Sequence, residues 1–490
     1  VPVLIRPDAS LPSNLAYFTD DVDGMYVLGG DQTVAMQVVA GTLVEEAMAA
    51  AYERGAVFGG NSAGDAVQSR NMINGYTAGN GYTESMRMGA VDVWTDDGAG
   101  DLTRGLSFGM PDVIADQHVF EYGRMGRSLN VALEHGLPVL GMDAATGGVL
   151  TDYTRLGSIH ETTRARPIQA AGASAAWAGP NDTLSARGVA FHLVPPGNFG
   201  FDFATMRPIV DGAPVGKPDI EGRSYPAYAT PETAGPLLLA GGIAADPAGS
   251  VGKRFVSLAG DADARIVVLA TGYAKSGEAK AEAKAIASAL QEGVTAPVEC
   301  FVADQTTAAA TAAAPIGEPT GILLTAPDRS LVAAALAGQQ AVTDAVRAAW
   351  EDGATLLADN AAAAVLGSRF IADPISPDVE ASAMEDMLVG GVTVADGLGW
   401  VAGLSVQPRL LPDQNWGQAL RLAAASPMPA VAIDVDTALE VLAGSATVRG
   451  ANAAVVIDGR QATFGSGTND ALAAAWMVLD TFTDTDVLAP

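Results

Sequence analysis

The sequence has few of the residues that form disulfides and metal sites. Cys300 is its single cysteine, so no disulfide can form within the chain. Its four histidines are His118, His135, His160 and His192. They are scattered along the chain and lack the spacing of zinc ligands. The glycines at 29–30 lack the lysine and the wider spacing of a phosphate-binding loop. We therefore expect no metal and no cofactor.

Basic residues and long apolar runs are also scarce. Lys and Arg number 27 against 56 Asp and Glu, which gives a formal net charge of −29. Such a chain has no basic patch to neutralise phosphates, so a nucleic-acid partner is not expected. No run approaches the roughly 18 apolar residues of a membrane helix, and no membrane span is expected. The acidity indicates solubility or a salty or external medium, and we favour a secreted or periplasmic location slightly over a cytoplasmic one.

What the sequence does contain is an alternation of short apolar runs with longer Ala-rich segments of helical period. Examples are the run at 25–28 and the helical segment at 276–291. This alternation is typical of α/β proteins with parallel sheets. At 490 residues the chain is too long for one ordinary core. We predict two tandem three-layer α/β/α domains with mostly parallel sheets, at 1–210 and 236–490, joined by a Pro- and Gly-rich linker at 211–235.

The two predicted domains share the order of their motifs, which indicates a tandem duplication. The matched pairs and their offsets are Asp31 with Asp328 (297), Ser62 with Ala361 (299), Asp116 with Asp413 (297) and Asp143 with Asp434 (291). In the same alignment Asn415 stands opposite His118. The second copy then has neither the serine nor a histidine. We expect it to be inactive and to serve packing, pairing or binding.

The second copy also begins earlier in its repeat than the first. Residues 236–297 contain two strand-like runs that have no counterpart in the first copy, and only 298–302 matches a strand predicted at 1–5. A doubly wound sheet without a central strand has two unpaired edges in its core. We therefore expect a separate N-terminal fragment, cleaved or outside this chain, to complete the first sheet. A homo-oligomer is expected, and the Ala-rich stretch 306–315 is predicted to be a loop.

A serine at a sharp glycine-rich turn is the first candidate for catalysis. The pattern Gly60-x-Ser62-x-Gly64 follows the apolar run 56–58 and precedes a segment able to start a helix. Small residues on both sides allow a strained turn that lifts the serine oxygen clear of the sheet, as in a nucleophile elbow. A tight turn that needs only small side chains would produce the same pattern.

A histidine at the end of a predicted strand is the second candidate. A serine hydroxyl needs a neighbouring base at neutral pH, and an imidazole with a pKa near 6.5 suits that role. His118 follows the run 112–117, at the strand end where parallel-sheet proteins place functional loops. It would therefore be able to meet Ser62. The alternative is a surface or packed loop histidine.

Four strings give the first copy a family resemblance: GGDQ (29–32), GGNSAG (59–64), DQHVFEYGRMGR (116–127) and GMDAATG (141–147). On these strings it resembles the cyanophycinase and dipeptidase E family of serine peptidases, whose α/β fold is flavodoxin-like, of the class I glutamine amidotransferase type. The resemblance implies hydrolysis of β-aspartyl or related isopeptide bonds through an acyl-enzyme on Ser62, with His118 as the base. It covers residues 1–210 well and continues from 236 only in layout.

The resemblance also implies which groups would bind a peptide or isopeptide substrate. The implied substrate-binding residues are Gln32, Asp116, Gln117, Arg124 and Arg127. The oxyanion hole is expected at Gly30 and at the backbone N–H of Ala63, because glycine lets the backbone approach a developing alkoxide. Arg124 and Arg127 are three apart on one helical face, where they would grip carboxylates or form an ordinary solvated face.

The chain departs from the family pattern in two places. The acid that orients the histidine usually follows the aspartate of the GMD strand, but Ala144 and Ala145 stand there. Asp143 or Asp152 would have to replace it, since loss of the third group of a serine triad costs on the order of 10⁴ in rate. Asp65 stands where the family prefers a small residue, and its charge would oppose a developing oxyanion.

These departures lead us to expect weak activity or an altered substrate. Two alternatives stay open. One is a catalytically inactive pseudopeptidase that acts in binding or assembly. The other is an esterase or amidase that uses the same elbow.

Overall fold

The computed structural model describes residues 1–96, 102–161, 164–303, 317–374 and 376–489. They form two compact units, each made of several segments. Unit 1 comprises Val1–Ala173, Val189–Lys217 and Thr463–Trp476, and unit 2 comprises Ser174–Gly188, Pro218–Ala462 and Met477–Pro490. Each unit takes segments from both sides of the predicted linker at 211–235, so the two units are not contiguous as the domains 1–210 and 236–490 would be. The stretch 306–315 lies outside the described residues.

Both units combine helices with sheets, which confirms the predicted α/β class. The strands, numbered in chain order, are β1 (Gly24–Val27), β2 (Val57–Gly60), β3 (Met72–Tyr76), β4 (Val91–Trp94), β5 (Ile114–Gln117), β6 (Val139–Met142), β7 (Thr146–Thr151), β8 (Arg155–Glu161), β9 (Ala165–Gln169), β10 (Ser174–Ala178), β11 (Thr183–Leu193), β12 (Phe199–Asp202), β13 (Arg207–Val210), β14 (Ala213–Pro214), β15 (Leu237–Ala240), β16 (Ile266–Thr271), β17 (Glu299–Ala303), β18 (Gly321–Ala326), β19 (Thr355–Asn360), β20 (Arg369–Ile371), β21 (Val394–Asp396), β22 (Ser405–Pro408), β23 (Ala430–Ile433), β24 (Thr437–Leu442), β25 (Ser445–Gly450), β26 (Ala454–Asp458), β27 (Thr463–Ser466) and β28 (Leu472–Phe482).

Helices precede or follow most of these strands. They are α1 (Pro12–Leu15), α2 (Gln32–Val39), α3 (Leu43–Glu53), α4 (Ala63–Ala66), α5 (Met125–His135), α6 (Ser250–Ala259), α7 (Ser276–Leu290), α8 (Arg329–Gly338), α9 (Gln340–Glu351), α10 (Ala361–Leu366), α11 (Val379–Glu385) and α12 (Trp416–Ala425). Short 3₁₀ turns occur at Arg6–Ser10, Tyr82–Glu84, Asp261–Asp263 and Gln291–Gly293.

Three groups of strands in unit 1 surround the candidate site. β1 and β2 pair in parallel. β5 and β6 also pair in parallel, and β9 runs antiparallel to β6. β7 pairs antiparallel with β8, at one end of a sheet ordered β14-β13-β12-β8-β7. Among the described residues, the recorded strand partner of β2 is β1 and that of β7 is β8.

Unit 2 contains a seven-stranded sheet in the order β17-β16-β18-β19-β15-β24-β25. Its first five strands run parallel to one another, while β24 is antiparallel to β15 and β25 is antiparallel to β24. β15 lies between β19 and β24, and all four of its residues are fully buried. Its sequence Leu-Leu-Leu-Ala is apolar without alternation because both faces of this strand are covered.

Apolar side chains pack the helices of unit 1 against β1 and β2. Met36 of α2, Val44 of α3 and Ala66 of α4 belong to one buried cluster, and Val27 and Phe58 pack against it. The short helix α4 is thereby held at the end of β2. This packing positions the turn that contains Ser62.

The shared motif at Asp31 and Asp328 has a local cause. Each aspartate precedes a helix, and its side chain accepts hydrogen bonds from two backbone N–H groups of the first turn. Such N-caps satisfy amides that have no partner within the helix. The sequence match between Asp31 and Asp328 therefore reflects the fact that each residue caps the start of a helix.

The strand predicted at 1–5 is wrong. Residues 1–4 have no regular structure, and a 3₁₀ turn follows at Arg6–Ser10. The strand matched to it, β17, pairs with β16 in unit 2. Unit 1 has no strand corresponding to β16 among its described residues, so the segment has no edge on which to form a ladder.

No single helix among the described residues is long and apolar enough to cross a membrane. Helices α2 and α3 taken together have the length and composition of a membrane span, but the chain bends by 96° between them.

Candidate active site

Ser62 lies in the sharp turn between β2 and α4. Its φ of 53° and ψ of −120° lie outside the regions that L-residues usually adopt. A Cβ at Gly60 would lie 2.1 Å from the carbonyl oxygen of Gly64, and a Cβ at Gly64 would lie 2.1 Å from that of Val27. Close backbone approach therefore requires both glycines. The turn has the strand-to-helix geometry expected of an elbow, with the serine at its apex.

The side chains of Ser62 and His118 are in contact. His118 Nε2 lies 3.0 Å from Ser62 Oγ. His118 directly follows β5 and has a φ of 54°, so the ends of β2 and β5 bring the two residues together. The imidazole stacks on the ring of Tyr122, with 4.8 Å between ring centres. This stacking limits how far the imidazole can turn away from the serine.

The other imidazole nitrogen faces Glu121, a residue that the sequence analysis did not select. Glu121 Oε1 lies 2.8 Å from His118 Nδ1 and also accepts a hydrogen bond of 2.6 Å from the backbone N–H of Ala144. Glu121 is only 5% exposed. When Nδ1–H donates to the carboxylate, Nε2 is left as an acceptor for the proton of Ser62. The spacing of three residues from His118 was the one sequence signal for this contact.

Asp143, the acid expected to orient His118, has other partners. Its Oδ1 accepts a hydrogen bond of 3.1 Å from the backbone N–H of Phe120, and its Oδ2 forms an ion pair with Arg166. The Arg166 guanidinium is fully buried and lies 3.6 Å from the centre of the Phe120 ring. Glu121 makes the contact with His118 that was considered for Asp143, and Asp143 instead binds the backbone of the segment that carries Glu121. Asp152, the other candidate, is an exposed residue of the cavity wall described below.

Asp116 and Arg127, both predicted to bind substrate, form an ion pair with each other. They are 1% and 2% exposed, and Ser128 Oγ donates a hydrogen bond of 2.6 Å to Asp116 Oδ2. The Arg127 guanidinium also lies over the ring of Tyr76, 5.3 Å from its centre. These contacts join β5 to α5, and both carboxylate oxygens of Asp116 accept hydrogen bonds in them. Arg127 is therefore buried, which excludes the alternative of a solvated helix face at this residue.

The remaining predicted substrate residues are Gln32, Gln117 and Arg124. Gln117 lines the cavity beside Ser62. Arg124 Nη1 donates to both the backbone oxygen and Oε1 of Gln117, at 2.9 and 2.6 Å, and so fixes its orientation. Gln32 Nε2 donates to the carbonyl oxygens of Ile73 and Asn74, both at 3.1 Å. A substrate contact by these three residues stays a prediction.

The predicted oxyanion hole surrounds the start of α4. Ala63 is the first residue of that helix, so its backbone N–H has no acceptor within the helix. Gly29 packs against the elbow, since a Cβ there would lie 3.0 Å from the Cβ of Ser62. Gly30 follows with a φ of 152° and open space on its Cβ side. The roles of Gly30 and Ala63 stay predictions.

Asp65 lies one helical turn from Ser62, in α4. Part of the residue reaches the cavity, but its Oδ2 is buried and has no hydrogen-bond partner among the described residues. Burial, with a smaller contribution from the charge of Asp116, raises the pKa of Asp65 to about 7. Its carboxyl group is therefore mostly neutral below pH 7, and the expected conflict with an oxyanion arises only at higher pH.

A cavity of about 1150 Å³ adjoins Ser62 in unit 1. Its walls include residues 57–62 of β2 and the elbow, residues 146–151 of β7, and the side chains of Gln117 and His118. In the part of the chain that the structure describes, no group of three or more His, Cys, Asp or Glu side chains could hold a metal ion.

Unit 2 contains the same turn with different residues. Asn360, the last residue of β19, has a φ of 55° and a ψ of −122°, nearly those of Ser62, so Asn360 and not Ala361 stands in the position of the serine. Arg409 follows β22 with a φ of 55° and stands in the position of His118. Its offset, 409 − 118 = 291, equals that of the aspartates after β6 and β23.

Asn415, which the sequence alignment placed opposite His118, precedes α12 as Arg124 precedes α5. The sequence alignment had therefore paired Asn415 with His118, although the two residues occupy different positions in their folds. Unit 2 nevertheless has neither a serine nor a histidine at these two positions.

Fold and site together define an α/β protein with a serine, a histidine and a glutamate in hydrogen-bonded succession at a strand–turn–helix elbow. No known family model matches the chain, and no curated protein matches it. Among solved structures it is similar to a peptidase from an acI-B1 Actinobacterium, at 14% identity over 53% of this chain and 99% of that one, with a TM-score of 0.37. It is also similar to a protein from Listeria monocytogenes EGD-e that is named for peptidase E, at 14% identity over 44% and 98%, with a TM-score of 0.31.

Proposed function

We propose that unit 1 is a serine peptidase of the cyanophycinase-like kind, which hydrolyses β-aspartyl or related isopeptide bonds through an acyl-enzyme on Ser62. The observation that carries the proposal is the continuous contact from Ser62 Oγ to His118 at 3.0 Å and from His118 to Glu121 at 2.8 Å. A nucleophile, a base and an orienting acid in this order are what acyl transfer needs.

The steps follow from the hydrogen bonds. Ser62 Oγ attacks the carbonyl carbon of the scissile amide while its proton passes to His118 Nε2, and Glu121 stabilises the imidazolium. When the tetrahedral adduct collapses, the C–N bond breaks and His118 gives the proton to the leaving amine. A water molecule deprotonated by His118 then attacks the acyl carbon and releases Ser62.

The negative charge on the substrate oxygen is accommodated at the start of α4. The backbone N–H of Ala63 and the backbone at Gly30 are the proposed donors, and the helix start adds a partial positive charge. Asp65 is compatible with this charge while its carboxyl group stays protonated. The conflict between this carboxylate and the oxyanion is therefore proposed to grow as the pH rises above about 7.

A second candidate, an esterase or amidase, is favoured by the pairing of Asp116 with Arg127. A residue held in a buried ion pair does not grip a substrate carboxylate, so the implied exopeptidase specificity would rest on Gln117 and its partner Arg124. The pseudopeptidase alternative rested on the missing acid at Ala144 and Ala145, and Glu121 supplies a carboxylate in that role. For unit 2 we propose no catalysis, since Asn360 and Arg409 provide neither nucleophile nor base.

A fluorophosphonate probe tests the proposed nucleophile. We expect the wild-type protein to be labelled and the variants Ser62→Ala and His118→Ala to be unlabelled. Ser10→Ala, at an exposed serine in the same unit, is the matched control and should label like wild type. Absence of labelling in the folded wild-type protein would favour the pseudopeptidase.

Two substrates separate the peptidase from the esterase. Release of β-aspartyl-arginine from cyanophycin, with weak hydrolysis of a simple nitrophenyl ester, supports the peptidase. Ester hydrolysis without dipeptide release supports the second candidate. Gln117→Ala should raise KM for the dipeptide-releasing reaction and leave ester hydrolysis within about twofold, because only the larger substrate would reach this side chain.

A further inference from the structure

Two buried carboxylates, those of Asp143 and Glu121, hold the backbone beside each other. Asp143 Oδ1 accepts a hydrogen bond of 3.1 Å from the backbone N–H of Phe120, the residue before Glu121. Glu121 Oε1 accepts one of 2.6 Å from the backbone N–H of Ala144, the residue after Asp143. Each acid therefore fixes the chain next to the other acid, and both carboxyl groups act as acceptors.

This arrangement is unfavourable for two carboxylates. Burial and a neighbouring like charge both favour the protonated form of a carboxyl group. Asp143 and Glu121 are each 5% exposed, and Glu121 Oε2 has no hydrogen-bond partner among the described residues. If Glu121 took up a proton, it would donate to His118 Nδ1, and Nε2 would then carry the ring proton instead of accepting that of Ser62. The two acids therefore need a cation.

The cation is Arg166, which lies on β9 opposite Gly141 of β6. Its guanidinium is fully buried, forms an ion pair with Asp143 Oδ2 and lies 3.6 Å from the centre of the Phe120 ring. Burial lowers the pKa of Arg166, and the charge of Glu121 is the largest contribution that opposes this change. Because arginine stays protonated even in protein interiors, one permanent positive charge acts on both acids.

Unit 2 contains the same segment with a single acid. Asp434 Oδ1 accepts from the backbone N–H of Leu411 at 3.4 Å, which is the hydrogen bond of Asp143 at an offset of 291. At that offset Pro412 stands in the position of Glu121. Burial raises the pKa of Asp434 to about 7. Burial at this place in the fold is thus sufficient to leave a carboxyl group partly protonated at neutral pH.

Unit 2 also has a valine where unit 1 has Arg166. Val455 is opposite Ala432 in the pairing of β26 with β23, as Arg166 is opposite Gly141 in that of β9 with β6. Ala432 and Gly141 are again 291 residues apart, and Val455 is fully buried. The same position in the sheet therefore carries a cation where two acids are buried and an apolar side chain where one is.

We propose that Arg166 is a positioning residue of the active site, the counter-ion that keeps Asp143 and Glu121 ionised together. Through Glu121 it holds His118 in the Nδ1–H tautomer, so that Nε2 accepts the proton of Ser62. The role rests on the proposed function of unit 1, since it gives Arg166 a place in that reaction. Arg166 acts there through Glu121 and not on the substrate.

Other titratable groups surround the pair of His118 and Glu121. They are Asp65 of α4, Asp116 of β5, Tyr122 and Arg124 of the turn, Arg127 of α5 and Asp152 of the cavity wall. Asp116 and Arg127 neutralise each other, and Asp65 is mostly neutral below pH 7. All six residues stay unchanged in the variants below, so differences among these variants report the charges at positions 143 and 166.

Nitrogen NMR of the full chain tests this role without any catalytic step. The chain has four histidines, and His118→Gln identifies the signals of His118. On acidification the neutral Nδ1–H form of His118 is lost when a proton enters either the imidazole or Glu121. The pH at which half of this form remains, called the midpoint below, therefore measures the charge around the pair.

Removal of the counter-ion should raise the midpoint. We expect Arg166→Met to raise it by about one pH unit or more, because the two buried carboxylates lose their cation. Arg166→Lys keeps the charge and should return the midpoint to that of the wild type. Asp143→Asn removes one negative charge and should lower the midpoint, while the amide oxygen at 143 still accepts from the backbone N–H of Phe120.

Two further variants control for surface charge and for folding. Arg207→Met removes the same charge from an exposed position of unit 1, where solvent screens it, so the midpoint should not move. Arg166→Gln replaces Arg166→Met if the methionine variant does not fold, because the glutamine amide still donates to Asp143 but carries no charge. We expect the same rise from it.

Kinetics provides a second readout. At pH 6 we expect kcat/KM of Arg166→Met to be about tenfold below that of the wild type. The loss should lie in kcat, with KM within about twofold, because Arg166 acts through Glu121. Arg166→Lys should recover most of the lost activity.

Three results would overturn the proposal: an unchanged midpoint in both Arg166→Met and Arg166→Gln, an equal rise in Arg207→Met, or a rise in Asp143→Asn. A raised KM at an unchanged midpoint would overturn it as well, by assigning Arg166 to substrate binding. Failure of the proposed function has a different signature. Ser62 would then stay unlabelled by the fluorophosphonate probe, while the midpoint would still shift with the charge at position 166.

Discussion

Glu121 is the third residue after His118, and Nδ1 of the histidine lies 2.8 Å from Oε1 of the glutamate. Both residues belong to the turn between β5 and α5, so one short segment carries the imidazole and the carboxylate that contacts it. The backbone N–H of Ala144 then holds the carboxylate from the segment after β6. An acid at 144 or 145 is unnecessary in this arrangement, because the backbone there supports Glu121 instead.

Substitution of Glu121 tests this arrangement directly. In Glu121→Gln the side chain keeps its size, but its amide no longer stabilises the imidazolium or selects the Nδ1–H tautomer. We expect kcat/KM to fall on the order of 10⁴-fold, as for the equivalent change in a serine triad. Steady-state kinetics against the best substrate found measures it. Glu134→Gln on exposed α5 surface is the control, and an equal loss in both variants would contradict the role of Glu121.

The pH profile should depend on Asp65. Its pKa is raised to about 7, so its carboxyl is neutral below that pH and charged above it. We expect kcat/KM of the wild type to fall as pH rises from 7 to 9, by about tenfold or 1.4 kcal/mol, as the charge opposes the oxyanion. Asp65→Asn should remove this decline. A parallel fall in both proteins would assign the alkaline limb to another group.

Stability gives a second measure of the same carboxyl. Because the folded-state pKa of Asp65 is above its ordinary value, the folded protein loses stability as pH rises from about 4 through 7. The variant Asp65→Asn should lack this loss. Its free energy of unfolding in urea should therefore fall less between pH 5 and pH 8 than that of the wild type.

The Asp116–Arg127 pair should matter for stability more than for substrate binding. Arg127→Met leaves the Asp116 carboxylate buried without its cation, which typically costs about 3 to 5 kcal/mol of unfolding free energy. Lys275→Met breaks an exposed pair with Glu278 and should leave the unfolding free energy almost unchanged, because water screens exposed pairs. Urea unfolding measures both. A raised KM with an unchanged unfolding midpoint would instead support substrate contact by Arg127.

His192 should make unit 1 sensitive to acid. The ring is fully buried, its Nδ1 accepts a hydrogen bond of 3.0 Å from the backbone N–H of Trp476, and burial lowers its pKa to about 3. The unfolded chain takes up this proton near pH 6.5, so stability present above pH 6.5 is lost as pH falls toward 3. The slope is about 1.4 kcal/mol per pH unit, or about 2 kcal/mol at pH 5.

His192→Gln should reduce the loss of stability between pH 7 and pH 5 by that amount. His160→Gln, at an exposed histidine, is the control and should behave as wild type. Unfolding by urea at several pH values measures the difference. Identical pH dependence in wild type and His192→Gln would exclude this histidine as the cause.

The elbow was predictable from sequence because its glycines report backbone geometry. Gly60 and Gly64 are the residues that the close turn around Ser62 requires, whatever the rest of the fold. The α/β class was predictable for a similar reason, since a fully buried strand such as β15 is apolar at every position. Patterns set by local sterics and burial can be read from the letters alone.

Contacts made through the backbone of a turn were not predictable in the same way. Glu121 reaches His118 because the histidine has a φ of 54°, and nothing in the letters requires that conformation. Asp116 meets Arg127 because a strand end faces a helix eleven residues later. The strand predicted at 1–5 was wrong because a strand needs an edge beside it, and its own composition says nothing about that edge.

Asn360 has nearly the backbone torsion angles of Ser62 and yet carries an amide. The strained turn therefore forms without a nucleophile. Its conformation follows from the connection between a buried strand and a helix. The backbone conformation of such a turn is separable from its reactivity. The neighbouring backbone specifies the conformation, whereas one side chain and its partners specify the reactivity. A serine introduced at 360 would have the backbone conformation of Ser62, but the residue in the position of His118 is Arg409, a permanent cation that cannot accept its proton.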